Sequence, residues 1–306
     1  GWQGSQSHRG HGALRDVPAV RLESGILETL RFAHNDEMQL LFSHANGYPP
    51  DSYRALLTSL SENLGAPVGT HAHRPLVSDE PPPKFLTWQT YASDLIERIE
   101  GDAQGPVWLI GHSMGAASAV LAAARRPALF AGIVALDPVL VPTRIWFWAR
   151  VFSFFKPDAV PIVKRALARP HVFESSDAAF DFYRCKRVFA AVSDTVLMDY
   201  VAAGHIAQPD GSVKLRHSGA WEACIYRSVP RMTGALKAAA CPMLIVAGET
   251  SDVLNGERLS WAKAINQSVE IQSLAGGHLL PLESPEACAN AAAGFIRRHS
   301  SGIGRP

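Results

Sequence analysis

The expected fold is α/β: a mostly parallel sheet flanked by helices, with a helical insertion in the second half of the chain. Three features of the 306 residues carry that expectation. Strand-length apolar runs alternate with helix-period segments at both ends. A strand, a tight glycine-bounded turn and an alanine-rich helix meet at Gly111-His112-Ser113-Met114-Gly115. Between Pro138 and Thr233 the apolar periodicity is helical and no clear strand pattern shows, so the sheet is interrupted there.

In chain order, residues 1–20 are expected to be a flexible segment. Gly1 to Pro18 is polar and glycine-rich, and lacks the apolar run of a secretion signal. Arg21–Leu27 and Glu28–Phe32 read as extended segments, and Met38–Ser43 as the next strand. Tyr53–Leu64 is helix-like, with apolar positions at 56, 57, 60 and 64. Ala66–His73 reads as a strand closed off by Pro81-Pro82-Pro83. Trp88 to Ile99 is amphipathic, with Trp88, Ala92, Leu95, Ile96 and Ile99 on one face. Val107–Ile110 leads into the glycine turn and a helix over Ala116–Ala124; Ile133–Leu136 is a buried strand ending at Asp137-Pro138. After the insertion, strands are expected at Met243–Ala247 and Val269–Leu274. Helices are expected near Glu257–Ile265 and from Pro285 to His299, the last started by the Ser284-Pro285 pair. The domain division is thus 21–137 and 234–300 for the core, and 138–233 for the insertion, which would sit over the strand ends as a cap.

Bulk properties exclude several classes. A net charge of +1 with no run of Lys or Arg argues against a nucleic-acid partner. No apolar stretch approaches the roughly 20 residues of a membrane span; Ile145 to Phe155 is too short and contains Arg150. Cys185, Cys224, Cys241 and Cys288 show no Cys-x-x-Cys spacing and read as reduced thiols of a cytoplasmic protein, with a Cys185–Cys224 disulfide as the alternative. His71-x-His73 has no acidic or cysteine partner nearby, so no metal site and no cofactor is expected.

The chemistry concentrates at Gly111–Gly115. A serine on such a turn stands exposed above the sheet edge, and side chains two residues to either side would collide across the turn. The following helix aims free N–H groups and partial positive charge at the serine. A hydroxyl needs a base to become a nucleophile, and the base needs an orienting group. His278, in Gly276-Gly277-His278, lies just past the last strand; Asp252 lies just past the strand before it. Asp137 competes with Asp252 for the acid, and Glu249 does so weakly.

With these residues in the order Ser…Asp…His, the chain resembles the α/β-hydrolase superfamily from about Arg21 to His299. The elbow and the Gly-Gly-His loop are its most specific motifs. The resemblance implies an eight-stranded-type sheet and a triad of Ser113, Asp252 and His278, with Asp137 as the alternative acid. It also implies an oxyanion hole from the Met114 amide and one amide of the Ser43-His44-Ala45-Asn46-Gly47 loop, Asn46 before Ala45. Serine at the elbow suits carbonyl attack and acyl transfer to water, so the expected activity is hydrolysis of a small-to-medium apolar ester. Use of the same triad by a C–C hydrolase, an acyltransferase or a perhydrolase, and a non-catalytic ligand-binding role, stay open. Residues 144, 150, 165 and 169 form no evident carboxylate clamp. His44, His112, Trp146 and Phe147 are candidate pocket residues, the aromatic run around Trp146 being equally readable as ordinary helix packing.

Overall fold

The computed structural model describes residues 38–77, 80–155 and 160–300. The extended segments expected at 21–27 and 28–32 lie outside these residues. The chain begins with strand β1 (Leu40–Ser43), helix α1 (Arg54–Leu64), β2 (Val68–His71), a short α2 (Arg74–Val77) and α3 (Trp88–Asp102). Then come β3 (Val107–His112), α4 (Met114–Arg125) and β4 (Phe130–Leu136). From there the chain leaves the sheet through α5 (Thr143–Phe155), α6 (Pro161–Leu167), β5 (Val172–Phe173), α7 (Ser176–Arg184), α8 (Asp194–Gly204), β6 (His205–Ala207), β7 (Val213–Leu215), α9 (Gly219–Arg227) and α10 (Thr233–Ala238). It returns as β8 (Met243–Gly248), α11 (Gly256–Ile265), β9 (Val269–Leu274), a short α12 (Leu280–Glu283) and α13 (Pro285–Ser300).

Among the described residues six strands form one sheet in the order β2-β1-β3-β4-β8-β9, and every pairing is parallel. The central strands are apolar along their whole length because both faces are covered. All six residues of β3 and all six of β8 are buried. Alternate residues feed two cores, as the two-residue period of a strand requires. Leu109, Ile133, Ala135 and Ile245 pack on one face with α3 and α4. Trp108, Ile110, Val134 and Val246 pack on the other with α1 and α13. Helix α4 is buried from Met114 through Ala123, and its alanines let it lie close to the sheet.

The segment between β4 and β8 is mostly helical, its caps supplied by Ser175, Ser193 and Ser218, whose hydroxyls accept the N–H groups of Ala178, Val196 and Trp221. It is not the purely helical segment that was expected: β5, β7 and β6 form a small antiparallel sheet. Strands of two and three residues are too short to show a period in sequence. This insertion packs on the loop that follows β1. The Asn46 side-chain amide donates to the Glu222 carbonyl (3.2 Å), and Tyr48 stacks obliquely on Tyr200 at 5.1 Å. No helix among the described residues is long and apolar enough to cross a membrane.

Candidate active site

The register of the central strands sets the site. His112 at the end of β3 lies opposite Leu136 at the end of β4, so the next residues, Ser113 and Asp137, emerge side by side. Both turn sharply with positive φ, 53° and 41°. Serine and aspartate adopt this region only at a cost, which the surrounding bonds offset. The Ser113 amide donates to the Leu136 carbonyl (3.0 Å) and the Asp137 amide to the Val246 carbonyl (2.7 Å).

The elbow glycines are needed for space. A Cβ at Gly115 would lie 2.2 Å from the Ser43 carbonyl oxygen, and one at Gly111 would lie 2.6 Å from the Ala116 nitrogen. Strand β1, the turn and helix α4 therefore meet at backbone distance. The loop carrying His278 is turned by Gly276 at φ 144° and held by the Gly277 amide, which donates to Glu283 Oε2 at 2.5 Å.

His278 joins the two strand ends. Its Nε2 is 3.0 Å from Ser113 Oγ, and its Nδ1 is 2.6 Å from Asp137 Oδ2. A carboxylate facing Nδ1 fixes that nitrogen as the N–H donor, leaving Nε2 to accept the serine proton. Asp137 is completely buried, and its carboxylate accepts two more bonds, from the Gly248 amide at 3.0 Å and the Ser251 hydroxyl at 2.6 Å. Such an arrangement can deprotonate a hydroxyl and stabilise the resulting imidazolium.

The expected partner of His278 was Asp252, and here the structure differs. Asp252 is exposed and takes no part in this cluster. The turn after β8 directs Ser251 inward, where its oxygen also accepts the amides of Val253 and Leu254, both at 3.1 Å. Asp252 is thereby rotated to solvent. The carboxylate comes instead from the strand next to β3, an adjacency that only the strand order reveals.

A second chain of bonds backs the first, and no motif or spacing discloses it. His112 Nε2 donates to the His278 carbonyl (2.8 Å), so its Nδ1 accepts the Tyr53 hydroxyl (2.7 Å). The Tyr53 oxygen in turn accepts the Ala45 amide at 3.3 Å. Burial holds the His112 pKa well below the usual histidine value, keeping the ring in the neutral form these bonds require.

The four candidate pocket residues differ in their surroundings. His44 and His112 are fully buried and serve as internal hydrogen-bonding groups. His44 Nδ1 donates to the Ala45 carbonyl (2.8 Å) while Nε2 accepts the His73 amide (3.0 Å), and burial lowers its pKa to about 3. Trp146 is half-buried, with its indole N–H on the Val229 carbonyl at 2.9 Å. Phe147 is 52 % exposed, edge-on to Trp148. Of the His71-x-His73 pair, His73 is fully buried and His71 half-buried, with His73 Nε2 and Ser43 Oγ 3.0 Å apart. All four cysteines are free thiols.

A family profile described as the alpha/beta hydrolase family matches residues 40–291. The chain belongs to that family. A 2-(acetamidomethylene)succinate hydrolase of Mesorhizobium japonicum is 27 % identical over 262 residues, covering 84 % of this chain and 87 % of that enzyme. The human monoglyceride lipase is 32 % identical over 115 residues, 33 % of this chain. The stretches matched in the rat and human monoglyceride lipases span only 19 % and 35 % of those enzymes. Among solved structures, an E-2-(acetamidomethylene)succinate hydrolase superposes with a TM-score of 0.70 at 24 % identity, covering 85 % of this chain and 91 % of that one. At that identity the likeness speaks for the fold.

Proposed function

We propose that this hydrolase cleaves carboxylic esters through an acyl-enzyme on Ser113. The reading rests on one observation, the continuous Ser113–His278–Asp137 hydrogen-bond chain at 3.0 and 2.6 Å. Ser113 attacks the carbonyl as His278 takes its proton; Asp137 keeps the imidazole in the correct tautomer and stabilises its positive charge. His278 then returns the proton to the leaving alcohol and activates the water that releases the acid.

The tetrahedral oxyanion is assigned to the amides of Met114 and Asn46. Met114 is the first residue of α4, so its N–H has no intrahelical acceptor. Ala45 is the poorer second donor because its amide is already committed to Tyr53. The insertion at 138–233 acts as the cap that shapes the substrate cavity. Free thiols throughout suit a reducing, cytoplasmic setting.

A series of 4-nitrophenyl esters of increasing acyl length tests the reading against a Ser113→Ala control. Turnover of at least one ester, falling by roughly 10⁴-fold or more in the variant, is the expected result. Equal turnover by the two proteins would reject it.

A further inference from the structure

Beside the loop that follows β1, the insertion buries a polar cluster whose hydrogen bonds are incomplete. Gly219 permits it: a Cβ there would lie 2.2 Å from the Ala166 carbonyl oxygen, so α6 and α9 pack at backbone distance. That contact places Arg169, just past α6, against Glu222 on α9. Arg169 Nη2 donates to Glu222 Oε1 at 2.9 Å, and the Tyr226 hydroxyl donates to the same oxygen at 3.2 Å.

Five polar atoms of this neighbourhood have no partner among the described residues. Arg169 Nη1, Glu222 Oε2, Asn46 Oδ1 and both ring nitrogens of His217 are buried and unbonded. Glu222 is 4 % exposed and His217 only 2 %. Buried polar groups in native proteins are nearly always satisfied, so several orphans in one neighbourhood point to a missing polar guest. The cluster and the nucleophile turn pack on the same loop. Arg169 Nη1 lies 3.7 Å from the Cβ position of Gly47, next to Asn46, and the same loop begins at the Ser43 and His44 carbonyls that press on Gly115.

We propose that Arg169 anchors a carboxylate carried by the substrate, so that the ester this enzyme prefers is the half-ester of a dicarboxylic acid. The proposal rests on the serine-hydrolase reading for its chemistry, but not for its binding. A guanidinium fixed by one carboxylate at Nη2 presents its free amino group in a set direction, which suits a second planar carboxylate. His217, neutral because burial lowers its pKa to about 3, supplies a further N–H. Glu222 would repel a second anion if charged. Burial raises its pKa and an adjacent anion raises it further, which favours uptake of a solvent proton on Oε2 as the ligand binds.

Binding to the Ser113→Ala protein separates this proposal from the catalytic one. Mono-4-nitrophenyl glutarate and 4-nitrophenyl butyrate are titrated calorimetrically near pH 7, in buffers of different ionisation enthalpy. The half-ester should bind at least tenfold more tightly, with net proton uptake. Arg169→Met combined with Glu222→Gln, which leaves no lone buried charge, should lower that preference tenfold or more, and Arg169→Lys should lower it in part. Equal affinities for the two esters in the Ser113→Ala protein would overturn the proposal, as would a preference that survives the double change. If the double variant does not fold, the affinity ratio and proton count of the Ser113→Ala protein decide. Tight half-ester binding without hydrolysis by the wild type would retain the anchor and reject the serine mechanism.

Discussion

Two polar clusters lie on either side of the loop after β1, and they are built differently. Around Ser113, each functional side chain is spoken for. His278 is held at both ring nitrogens, Asp137 accepts three bonds, and His112 and Tyr53 tie the His278 loop to the Ala45 amide. Around Arg169, four side chains from the insertion and the loop leave five buried atoms unbonded. A satisfied network fixes geometry, while unpaired buried polar groups are costly. On the proposed reading, the chemistry belongs to the sheet ends and the recognition to the insertion.

Removing a member of the satisfied network should have the largest effect. Asp137→Asn leaves the shape but favours the wrong tautomer of His278, and kcat should fall roughly 10³–10⁴-fold. Asp252→Asn should stay within about threefold. Steady-state kinetics on a 4-nitrophenyl ester distinguish the two, and equal losses would dissolve the network as drawn.

The next effect is on folding. Gly115→Ala forces a methyl group to within 2.2 Å of the Ser43 carbonyl, where only backbone can yield. A loss of roughly 3 kcal/mol or more is expected, at the upper end of measured overpacking costs. Chemical denaturation measures it, and a loss below 1 kcal/mol would mean that the elbow is not close-packed.

The relay behind His278 predicts a smaller change. Tyr53→Phe removes the donor to His112 and strands its Nδ1 in the interior, costing about 1–3 kcal/mol of stability. If Tyr53 also positions the base, kcat should fall about tenfold while KM changes little. An unchanged kcat would make the relay purely structural.

The buried histidines give the mildest prediction. Burial lowers His44 and His217 to about 3 and His71 to about 4, against about 6.5 in an unfolded chain. Above pH 6.5 these rings are neutral in both states and add no pH dependence. Below it the unfolded chain takes up protons that the folded one refuses, so stability falls as pH drops from 6.5 towards 4. Each ring contributes up to about 1.4 kcal/mol per pH unit. Denaturant midpoints across that range should slope accordingly, and His217→Leu should make the slope shallower. A flat profile would contradict the burial of these rings in neutral form.

The two clusters also differ in how far the sequence disclosed them. Strands buried on both faces announce themselves, and β8 falls at Met243–Gly248, where the apolar run over Met243–Ala247 predicts it. The serine was legible because it lies directly beyond such a strand in a glycine-bounded turn, and the histidine because Gly276-Gly277 marks its loop after the last strand. The acid was not, because Asp137 and Asp252 both follow buried strands. Only the order β3-β4-β8 tells which strand end adjoins Ser113. Arg169 was harder still. It sits past the end of a seven-residue helix, and its burial depends on the contact between α6 and α9, which no local period encodes. Short strands such as Val172–Phe173 stayed hidden for the same reason.

The most direct test of the central claim is the rate at which a fluorophosphonate probe phosphonylates Ser113, followed by peptide mapping in the wild type, Asp137→Asn and Asp252→Asn. The account predicts a single modified residue, Ser113, labelled at least 10³-fold more slowly in Asp137→Asn and at nearly the wild-type rate in Asp252→Asn. Labelling at another residue, or slowed by the Asp252 change and not by the Asp137 change, would contradict it.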